Sequence, residues 1–523
     1  MTTLRLARFS SLLTLAATGC FAILSAGIAV TSPQTRPAAN PAIPGDHPDP
    51  TILRIGRTYW MASTSGDWAP SFSIYRSTDL RHWSPVGAVF PDPPDWASGD
   101  FWAPELVQAP DGVVVYYAAR KKNGPLCVAA ATAAGPEGPY ADHGPLVCQP
   151  DGSIDPSMVR DEFGRPFLIW KEDGNSVRKP TPIWAQPLTA DLLHLTGTPT
   201  QLITNDPDSW EGGVVEGPYI FRHAGRFYLF YAGNACCGIE CHYAEGVARA
   251  DTLLGPWTKD PANPIIRSND AWKCPGHGTA VTTPAGKDYF LYHAYPAQGT
   301  IYLGRESVLD AIDWSTDGWP VVNAAHGPSG NAATNPPTFL MEDFHNPMLD
   351  PEWKWPIGRR PSFQTGDGQL IIKAAGAAQP TYLARSLPAS SYEATIATPA
   401  SSTAASGIGL IGETTRELTL FRQGNRVQLK RISRDGQETL AEANVASSAP
   451  VWLRLISSRA REVQYSYSTD NAHWNVLNNT PDTTGMLAWD HGLRIGLVAE
   501  GRVGAQAHFM QFSLRATAAS VVR

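Results

Sequence analysis

The segment Phe227-Tyr-Leu-Phe-Tyr231 is the clearest copy of an aromatic, alternating pattern that organises the first two thirds of the chain. Five copies recur at intervals of 52 to 62 residues, and most follow a turn that contains glycine, such as Ala224-Gly-Arg226. Each copy predicts a hairpin leading into an apolar inner strand. The other four copies are Tyr59-Trp-Met-Ala-Ser63, Val115-Tyr-Tyr-Ala-Ala119, Phe167-Leu-Ile-Trp-Lys171 and Tyr289-Phe-Leu-Tyr-His293.

A repeat of this length, holding about four strands, is typical of a β-propeller blade. We therefore predict a five-bladed β-propeller over residues 43–325, rather than a chain of unrelated hairpins in a sandwich. After a small, polar, proline-bearing linker at 326–337, the pattern changes to alternating segments such as Arg426-Val-Gln-Leu-Lys430. Together with the hairpin turn Gln423-Gly-Asn425, these segments predict a β-sandwich over 338–523 that binds sugar or braces the propeller. The predicted fold class is all-β.

The composition supports this class and excludes one kind of partner. The chain has 46 Gly and 45 Pro, and only 17% of its residues are charged, which disfavours a helix-rich protein. The formal net charge is -7, and no basic stripe runs along the chain. The sequence therefore shows no cluster of positive charge that would bind a phosphate backbone, and we predict no nucleic-acid partner.

The N-terminus predicts export. Residues 1–30 combine Arg5 and Arg8 with an apolar stretch from Leu12 to Val30, which is typical of a signal peptide; a retained membrane anchor is the alternative. Residues 31–42 form a linker. We predict an exported protein, secreted or periplasmic, that meets a membrane only if this segment is retained. Lipidation at Cys20 is a minor alternative, because the preceding residues match a lipoprotein box poorly.

The cysteines after Cys20 number six, an even count that favours disulfides in an exported chain. Cys127 with Cys148 is the first predicted pair. A zinc site is the less favoured reading of the remaining four, because adjacent cysteines have poor ligand spacing. Those four are Cys236, Cys237, Cys241 and Cys274.

Three acidic residues occupy matching positions just before the inner strands of different predicted blades. A proline follows each acid within two residues, which restricts the backbone and fixes the direction of the carboxylate. A single Asp-Pro pair is an ordinary turn, but three at matching blade positions predict carboxylates that converge at the axial mouth of the propeller. The three are Asp49 in His47-Pro-Asp-Pro50, Asp155 in Ser153-Ile-Asp-Pro-Ser157 and Glu216 in Val214-Val-Glu-Gly-Pro218.

These motifs, in their order along residues 43–323, resemble glycoside hydrolase family 43. The resemblance implies a five-bladed propeller that hydrolyses α-L-arabinofuranosides, β-D-xylosides or arabinan with inversion at the anomeric carbon. The remaining motifs that carry it are Trp102-Ala-Pro-Glu105, Pro275-Gly-His-Gly278 and Asp317-Gly-Trp-Pro320.

By this resemblance Asp49 is the general base, Glu216 the general acid, and Asp155 the residue that tunes the pKa of the acid and holds its orientation. An inverting hydrolase needs one carboxylate to activate water while a protonated acid meets the leaving oxygen, with the two groups about 6.5 to 9.5 Å apart. We expect the negative charge of Asp155 to raise the pKa of Glu216.

Three further residues receive roles from the same resemblance, each with a structural alternative. His277 resembles a central histidine that contacts a cation such as calcium, directly or through water; plain water is the alternative, because one imidazole is a poor calcium ligand. Arg305 approaches the substrate or forms a salt bridge that closes the ring of blades. Trp102 stacks on a sugar ring or is a buried structural tryptophan.

The favoured prediction is an exo-acting α-L-arabinofuranosidase or β-xylosidase that releases pentose from plant hemicellulose or pectin side chains and needs no cofactor for its chemistry. An endo-1,5-α-L-arabinanase has the same acids in an open groove, and a non-catalytic propeller only binds sugar. A retaining fructan hydrolase normally starts with Asn-Asp-Pro and later has Arg-Asp-Pro, where this chain has His-Pro-Asp-Pro and Ile-Asp-Pro instead. The sandwich segments Glu342-Asp-Phe344 and Trp353-Lys-Trp355 are similar to those of family xylosidases in which a loop narrows the active site.

Overall fold

A computed structural model describes residues 40–297, 300–330, 339–376, 379–413, 416–446, 448–459, 461–479 and 483–517. In this part of the chain the regular structure is almost all β-strand, which confirms the predicted class. The helical segments described there are single turns at Gly174–Val177, Thr300–Leu303, Asn323–Ala325 and Thr484–Met486. None of the described helices is long and apolar enough to cross a membrane. The predicted export signal lies outside the described residues.

The first two thirds of the described chain form five four-stranded antiparallel sheets in sequence order, one for each predicted blade. Blade 1 contains Thr51–Ile55, Thr58–Ala62, Ser71–Ser77 and Ser84–Phe90; blade 2 contains Ala97–Ala109, Gly112–Lys121, Leu126–Ala133 and Ala141–Val147; blade 3 contains Ser153–Arg160, Pro166–Glu172, Ile183–Pro187 and Thr200–Ile203; blade 4 contains Val215–His223, Arg226–Gly233, Ala244–Ala250 and Thr258–Lys259; blade 5 contains Trp272–Thr282, Asp288–Pro296, Glu306–Trp314 and Pro320–Val322.

The aromatic copies form the second strand of each blade, whereas the prediction made them the inner strand. In blade 4, for example, Phe227 to Tyr231 are all buried in the strand Arg226–Gly233. This strand has a hydrogen-bonded neighbour on each side, and its two faces pack against the two adjacent blades, so every position on it favours an apolar residue. The first strand lies at the axis, where polar residues are tolerated, and it carries the acids.

The five sheets close into a ring. The first strand of each blade lies beside the first strands of the two neighbouring blades, and that of blade 5 lies beside that of blade 1. The segment before blade 1 seals this junction. There the Ala42 N–H donates to the Ser307 carbonyl at 2.8 Å, and the His47 N–H donates to the Arg305 carbonyl at 2.9 Å. The first strands therefore share one central axis.

The described residues from 339 onward form a β-sandwich of two six-stranded sheets with an additional three-stranded sheet. The predicted hairpin turn is confirmed, because Gln423 pairs directly with Arg426. In sheet order, the first six-stranded sheet contains Phe339–Glu342, Gln511–Ala516, Tyr392–Thr398, Val451–Ser458, Glu462–Ser468 and Asn475–Asn479; the second contains Thr381–Ser386, Arg494–Glu500, Ala405–Glu413, Arg416–Gln423, Arg426–Ser433 and Gly436–Asn444; the third sheet contains Phe363–Gly366, Gln369–Lys373 and Gln506–Phe509.

The sandwich docks on the propeller through backbone pairing. The short strand Trp355–Pro356 pairs with Trp68–Ala69 of blade 1, and the Lys354 ammonium donates to the Pro70 carbonyl at 2.7 Å. A second contact brings a sandwich loop to the axis, where the Leu493 N–H donates to the Tyr302 carbonyl at 2.9 Å. The docking therefore places part of the sandwich over the mouth of the propeller.

The six cysteines form three disulfides: Cys127–Cys148, Cys236–Cys237 and Cys241–Cys274. The first is the predicted pair. The zinc alternative is wrong in this structure, because all four thiols of the later group are consumed by disulfides.

Candidate active site

The first strands share a local backbone feature that aims side chains at the axis. One residue from each blade adopts a left-handed conformation, with φ of 53° at Asp49, 46° at Ala103, 54° at Asp155, 59° at Gly217 and 49° at His277. In blades 2 to 5 a β-bulge interrupts the strand pairing at this point. Such a conformation costs a residue other than glycine about 1–3 kcal/mol and is concentrated at functional sites. Its recurrence at five equivalent positions marks the axial mouth as the site.

A cavity of about 440 Å³ opens at this mouth. Its volume falls in the range of small-molecule sites. All six residues singled out from the sequence line it: Asp49, Trp102, Asp155, Glu216, His277 and Arg305. The structure therefore brings together side chains from all five blades, including the three predicted acids.

Asp49 is a buried carboxylate held by cationic and polar groups. Its Oδ1 lies 2.9 Å from Arg305 Nη1 and 3.4 Å from His277 Nδ1. Its Oδ2 accepts a hydrogen bond from the Thr64 hydroxyl at 2.7 Å, and its N–H donates to His293 Nδ1 at 3.1 Å. Burial favours the neutral acid, but Arg305 and the two histidines outweigh it and lower the pKa of Asp49 well below its usual range. Asp49 is therefore ionised.

Glu216 has a donor on each carboxylate oxygen. Lys171 Nζ lies 2.8 Å from Oε2, and the Tyr243 hydroxyl donates to Oε1 at 2.9 Å. Lys171 is fully buried and also donates to Asp173 and Asn175, at 2.8 Å each. Burial of Glu216 favours its neutral form, but the charge and hydrogen bonds of these donors lower its pKa overall. The carboxyl is ionised in this structure.

Asp155 lies beside the acid and holds the adjacent backbone. Its Oδ2 accepts a hydrogen bond from the Gly217 N–H at 2.8 Å, which orients the residue next to Glu216. Burial raises the pKa of Asp155 to about 6; the charges of Glu216 and Asp49 reinforce the rise, while His277 opposes it. The expected net rise in the pKa of Glu216 is therefore not found in this structure. The missed contribution is the positive charge of Lys171, and the raised pKa belongs to Asp155.

The base side and the acid side of the cavity meet at His277. A Cβ atom at Gly217 would lie 2.7 Å from Cγ of His277, so only glycine allows the backbone beside Glu216 to approach the ring this closely. The same ring lies 3.4 Å from Asp49. The His277 ring therefore contacts both the Asp49 carboxylate and the backbone beside Glu216.

The described side chains around His277 do not form a full set of calcium ligands. Calcium takes six to eight oxygen ligands. Within the described ranges no group of three or more His, Cys, Asp or Glu side chains is arranged to hold a metal ion. The carboxylate nearest His277 is that of Asp49, which is already paired with Arg305. A calcium ion here would take most of its ligands from water, and the cation at His277 stays a prediction.

Several residues of the site were missed from the sequence. Lys171 ends the apolar segment of blade 3, and a lysine there was a signal, since a buried ammonium needs carboxylate partners. Trp489 and Asp490 come from the sandwich and line the cavity. The ring of Trp489 meets that of Trp102 edge to face at 5.8 Å, and the Asp490 carbonyl accepts from Arg305 Nη2 at 3.0 Å. No motif marked this pair, because the contact arises only from domain docking.

Comparison with known proteins identifies the family. The family description "Glycosyl hydrolases family 43" matches residues 38–320. The chain belongs to this family. The family 43 domain is followed by a second match, "Beta xylosidase C-terminal Concanavalin A-like domain", over residues 341–515. These two matches cover the propeller and the sandwich, so the family 43 domain is followed by an accessory β-sandwich.

Its similarity to individual relatives is moderate. A putative beta-xylosidase of Escherichia coli (strain K12) is 29% identical over 359 residues, covering 60% of this chain and 63% of the relative. A xylosidase/arabinosidase of Humicola insolens is 30% identical over 330 residues, covering 57% of this chain and 56% of the relative. The family 43 chain thus matches only about three fifths of the length of these relatives.

Solved structures agree with the architecture. A family 43 protein from Bacillus licheniformis superposes with a TM-score of 0.75 at 24% identity, covering 92% of this chain and all 100% of that one. A xylan beta-1,4-xylosidase from Bacillus halodurans gives a TM-score of 0.74 at 22% identity, with 91% and 100% coverage. At this identity the likeness shows that the propeller and sandwich fold is shared.

Proposed function

We propose that this protein is an exo-acting, inverting β-D-xylosidase that releases xylose from xylan-derived chains. The observation that carries the proposal is the cavity itself, in which three carboxyl groups from three blades face one space that the sandwich closes on one side. A propeller that only bound sugar would have no use for buried acids in opposite protonation environments. We propose Asp49 as base, Glu216 as acid and Asp155 as the residue that orients and tunes the acid.

The base role follows from the charge of Asp49. The Arg305 guanidinium, 2.9 Å away, favours the ionised carboxylate. A water molecule between this carboxylate and the anomeric carbon gives its proton to Asp49 as it attacks, and the arginine limits rotation of the carboxylate. Thr64 fixes the second oxygen at 2.7 Å, so the direction of the base is set before substrate binds.

The acid role requires Glu216 to gain a proton when substrate is present. A sugar in the cavity removes water from the carboxyl group, which raises its pKa, and the glycosidic oxygen then accepts the proton. Asp155 has a pKa of about 6 and keeps a proton in this part of the site below that pH. With Asp155 neutral, Lys171 and Tyr243 hold Glu216 toward the leaving oxygen.

Exo action is supported by the closure of the cavity. Trp489 and Asp490 stand at its edge, as expected for a pocket that accepts one chain end rather than a groove that accepts a whole chain. Xylose is supported by the description of the second domain and by a xylan 1,3-beta-xylosidase of Vibrio sp., which is 25% identical over 508 residues and matches 84% of this chain. Arabinofuranose is the second candidate sugar, because other relatives are named xylosidase/arabinosidase.

We further propose that the protein works outside the cytoplasm on plant polysaccharide. Three disulfides favour an oxidising compartment. Two relatives, an arabinofuranosidase of Cellvibrio japonicus and an arabinanase of Bacillus subtilis, are named extracellular.

Product analysis tests the proposal. Purified protein is incubated with xylotetraose and with linear α-1,5-arabinotetraose, and released sugars are identified over time, with Asp49→Asn as the inactive control. We expect xylose and xylotriose as the first products. Arabinose with arabinotriose would replace xylosidase by arabinofuranosidase, and first products of two residues each would indicate endo action. No product from either substrate would refute the hydrolase.

A further inference from the structure

The loop between the second and third strands of blade 4 carries a feature that the hydrolytic mechanism does not use. Cys236 and Cys237, adjacent in sequence, form a disulfide with each other. Both half-buried residues line the same cavity as Glu216, together with Asn234 and Ala235 of this loop. The two disulfide-bonded cysteines thus form part of the wall of the cavity that contains Glu216.

The loop is fastened on several sides. The Cys241–Cys274 disulfide ties it to the first strand of blade 5, and the Gly238 N–H donates to the Tyr295 hydroxyl at 3.4 Å. Within the loop the His242 N–H donates to the Ala235 carbonyl at 2.9 Å. These restraints hold the adjacent disulfide at a defined position relative to the acids.

The chemistry of this wall differs from that of its surroundings. Glu216, Lys171 and Asn234 present charged or amide groups to the cavity, whereas a disulfide has no N–H or O–H donor and presents a soft, polarisable surface. Joining neighbouring residues also encloses their peptide bond in a small ring, which rigidifies the backbone. A surface of this kind packs against the C–H face of a sugar and leaves its hydroxyl groups to the polar neighbours.

Its position indicates which sugar it would meet. The disulfide belongs to the same blade as Glu216, and the general acid must face the oxygen of the leaving group. Trp102 and Trp489 line the same cavity, and the Trp489 carbonyl borders the loop at Gly238, next to Cys237. The sugar that departs from Glu216 therefore lies against the part of the cavity that the Cys236–Cys237 loop forms.

We propose that the Cys236–Cys237 disulfide is a substrate-positioning element that packs against the apolar face of the leaving-group sugar. This inference rests on the proposed function, because it takes Glu216 as the acid. It adds a determinant for the sugar on the far side of the scissile bond, distinct from the residues that hold the sugar being released.

A comparison of two substrates tests the proposal. One is the disaccharide that the wild type hydrolyses, xylobiose or arabinobiose; the other is the glycosyl fluoride of the same pentose, which has no leaving-group sugar. The double substitution Cys236→Ser with Cys237→Ser removes the disulfide without leaving a thiol to mispair. We expect kcat/KM of this variant to fall about tenfold more on the disaccharide than on the fluoride, mainly through KM, as for the loss of one apolar contact surface.

Ile239→Ala is the matched control, because Ile239 is in the same loop, is 72% exposed and does not line the cavity. We expect it to keep the wild-type ratio of the two activities. Equal losses on both substrates in the double variant, or no loss on either, would overturn the proposal.

If the double variant does not fold, as judged by its thermal melting curve, the wild type is assayed in mild reductant, and its free thiols are counted by mass spectrometry after quenching. A tenfold change in the ratio of kcat/KM on the disaccharide to kcat/KM on the fluoride, in protein with two free thiols, supports the proposal. An unchanged ratio overturns it. A wild type that hydrolyses neither substrate refutes the proposed function instead, so the two failures are distinguishable.

Discussion

Two sides of one cavity differ in how they treat a buried carboxyl group. On the base side, Asp49 has Arg305 at 2.9 Å and two histidines nearby, and its pKa is lowered. On the acid side, Asp155 and Glu216 share one buried cation, Lys171, and the pKa of Asp155 is raised to about 6. Burial favours the neutral acid at all three carboxyl groups. The neighbouring charges, rather than depth, therefore decide which side carries a proton.

The base side therefore holds a permanent negative charge on Asp49, whereas the acid side holds a proton that can be transferred. On the base side Asp49 has the Arg305 guanidinium within hydrogen-bond distance, at 2.9 Å, which favours its ionised form. On the acid side a single lysine, Lys171, pairs with several acids, including Asp173. A proton is therefore retained there at pH values where Asp49 has none, which is the arrangement that acid–base hydrolysis needs.

The largest effect is expected from removing the base. Asp49→Asn keeps the size of the side chain but cannot accept the proton of the attacking water, so kcat should fall roughly 10²- to 10⁴-fold. The loss should be similar for a disaccharide and for a glycosyl fluoride, because both need the water. Steady-state kinetics on the two substrates provides the check, and turnover within a few-fold of wild type on either would contradict the assignment.

Removing the acid should lower activity on the disaccharide far more than on the glycosyl fluoride. Glu216→Gln should lower kcat on the disaccharide by roughly 10²- to 10⁴-fold, but fluoride departs with little help from a proton donor. The glycosyl fluoride should therefore retain most of its turnover. An equal loss on both substrates would place Glu216 outside the acid role.

The pH profile tests the charge balance of the acid side. The proton on Asp155 is lost as pH rises through about 6, so kcat/KM should decline on the alkaline side of that value. Lys171→Met removes a positive charge that lowers the pKa of both Asp155 and Glu216, so the declining limb should move to higher pH while kcat falls about tenfold. The readout is kcat/KM between pH 4 and pH 9, assay conditions chosen to bracket the ordinary pKa values of carboxyl groups and histidine.

Lys179→Met is the matched control for that profile. Lys179 is exposed and pairs with Asp151 outside the cavity. Its removal should leave the limb in place. A limb that stays fixed, or moves to lower pH, in Lys171→Met would contradict the role given to Lys171.

The smallest effect is expected at the edge of the cavity. Trp489→Ala removes an aromatic surface beside Trp102. We therefore expect KM to rise roughly three- to tenfold while kcat changes little. Trp474→Ala, in the same domain but outside the cavity, should leave KM unchanged. The measurement is KM for the disaccharide, and an unchanged KM in Trp489→Ala would show that the sandwich loop does not contact substrate.

Much of the fold could be predicted because the second strand of each blade carries the recurring aromatic pattern. Segments such as Phe227-Tyr-Leu-Phe-Tyr231 are apolar on both faces and recur once per blade. The innermost strands were harder to assign. They contain bulges and left-handed residues, such as Asp155 and His277, so they lack a regular alternation.

The three acids could be predicted because Asp49, Asp155 and Glu216 keep a nearly constant distance from a following proline. Their protonation could not, since the direction of the pKa shift at Glu216 depends on Lys171, which is 45 residues away in sequence. Trp489 could not be placed either, because only the docking of two domains brings it to Trp102. Local motifs therefore identified acids that line one cavity, and tertiary packing set the electrostatics of that cavity.

The central claim is that Asp49 activates water and does not bond to the sugar. Proton NMR of the xylose first released from β-D-xylosyl fluoride, recorded before mutarotation, tests it most directly. We expect the released β-linked xylose to appear first as the α-anomer, because water attacks from the face opposite the leaving group. The β-anomer appearing first would require a covalent intermediate and would contradict the assignment of Asp49 as base.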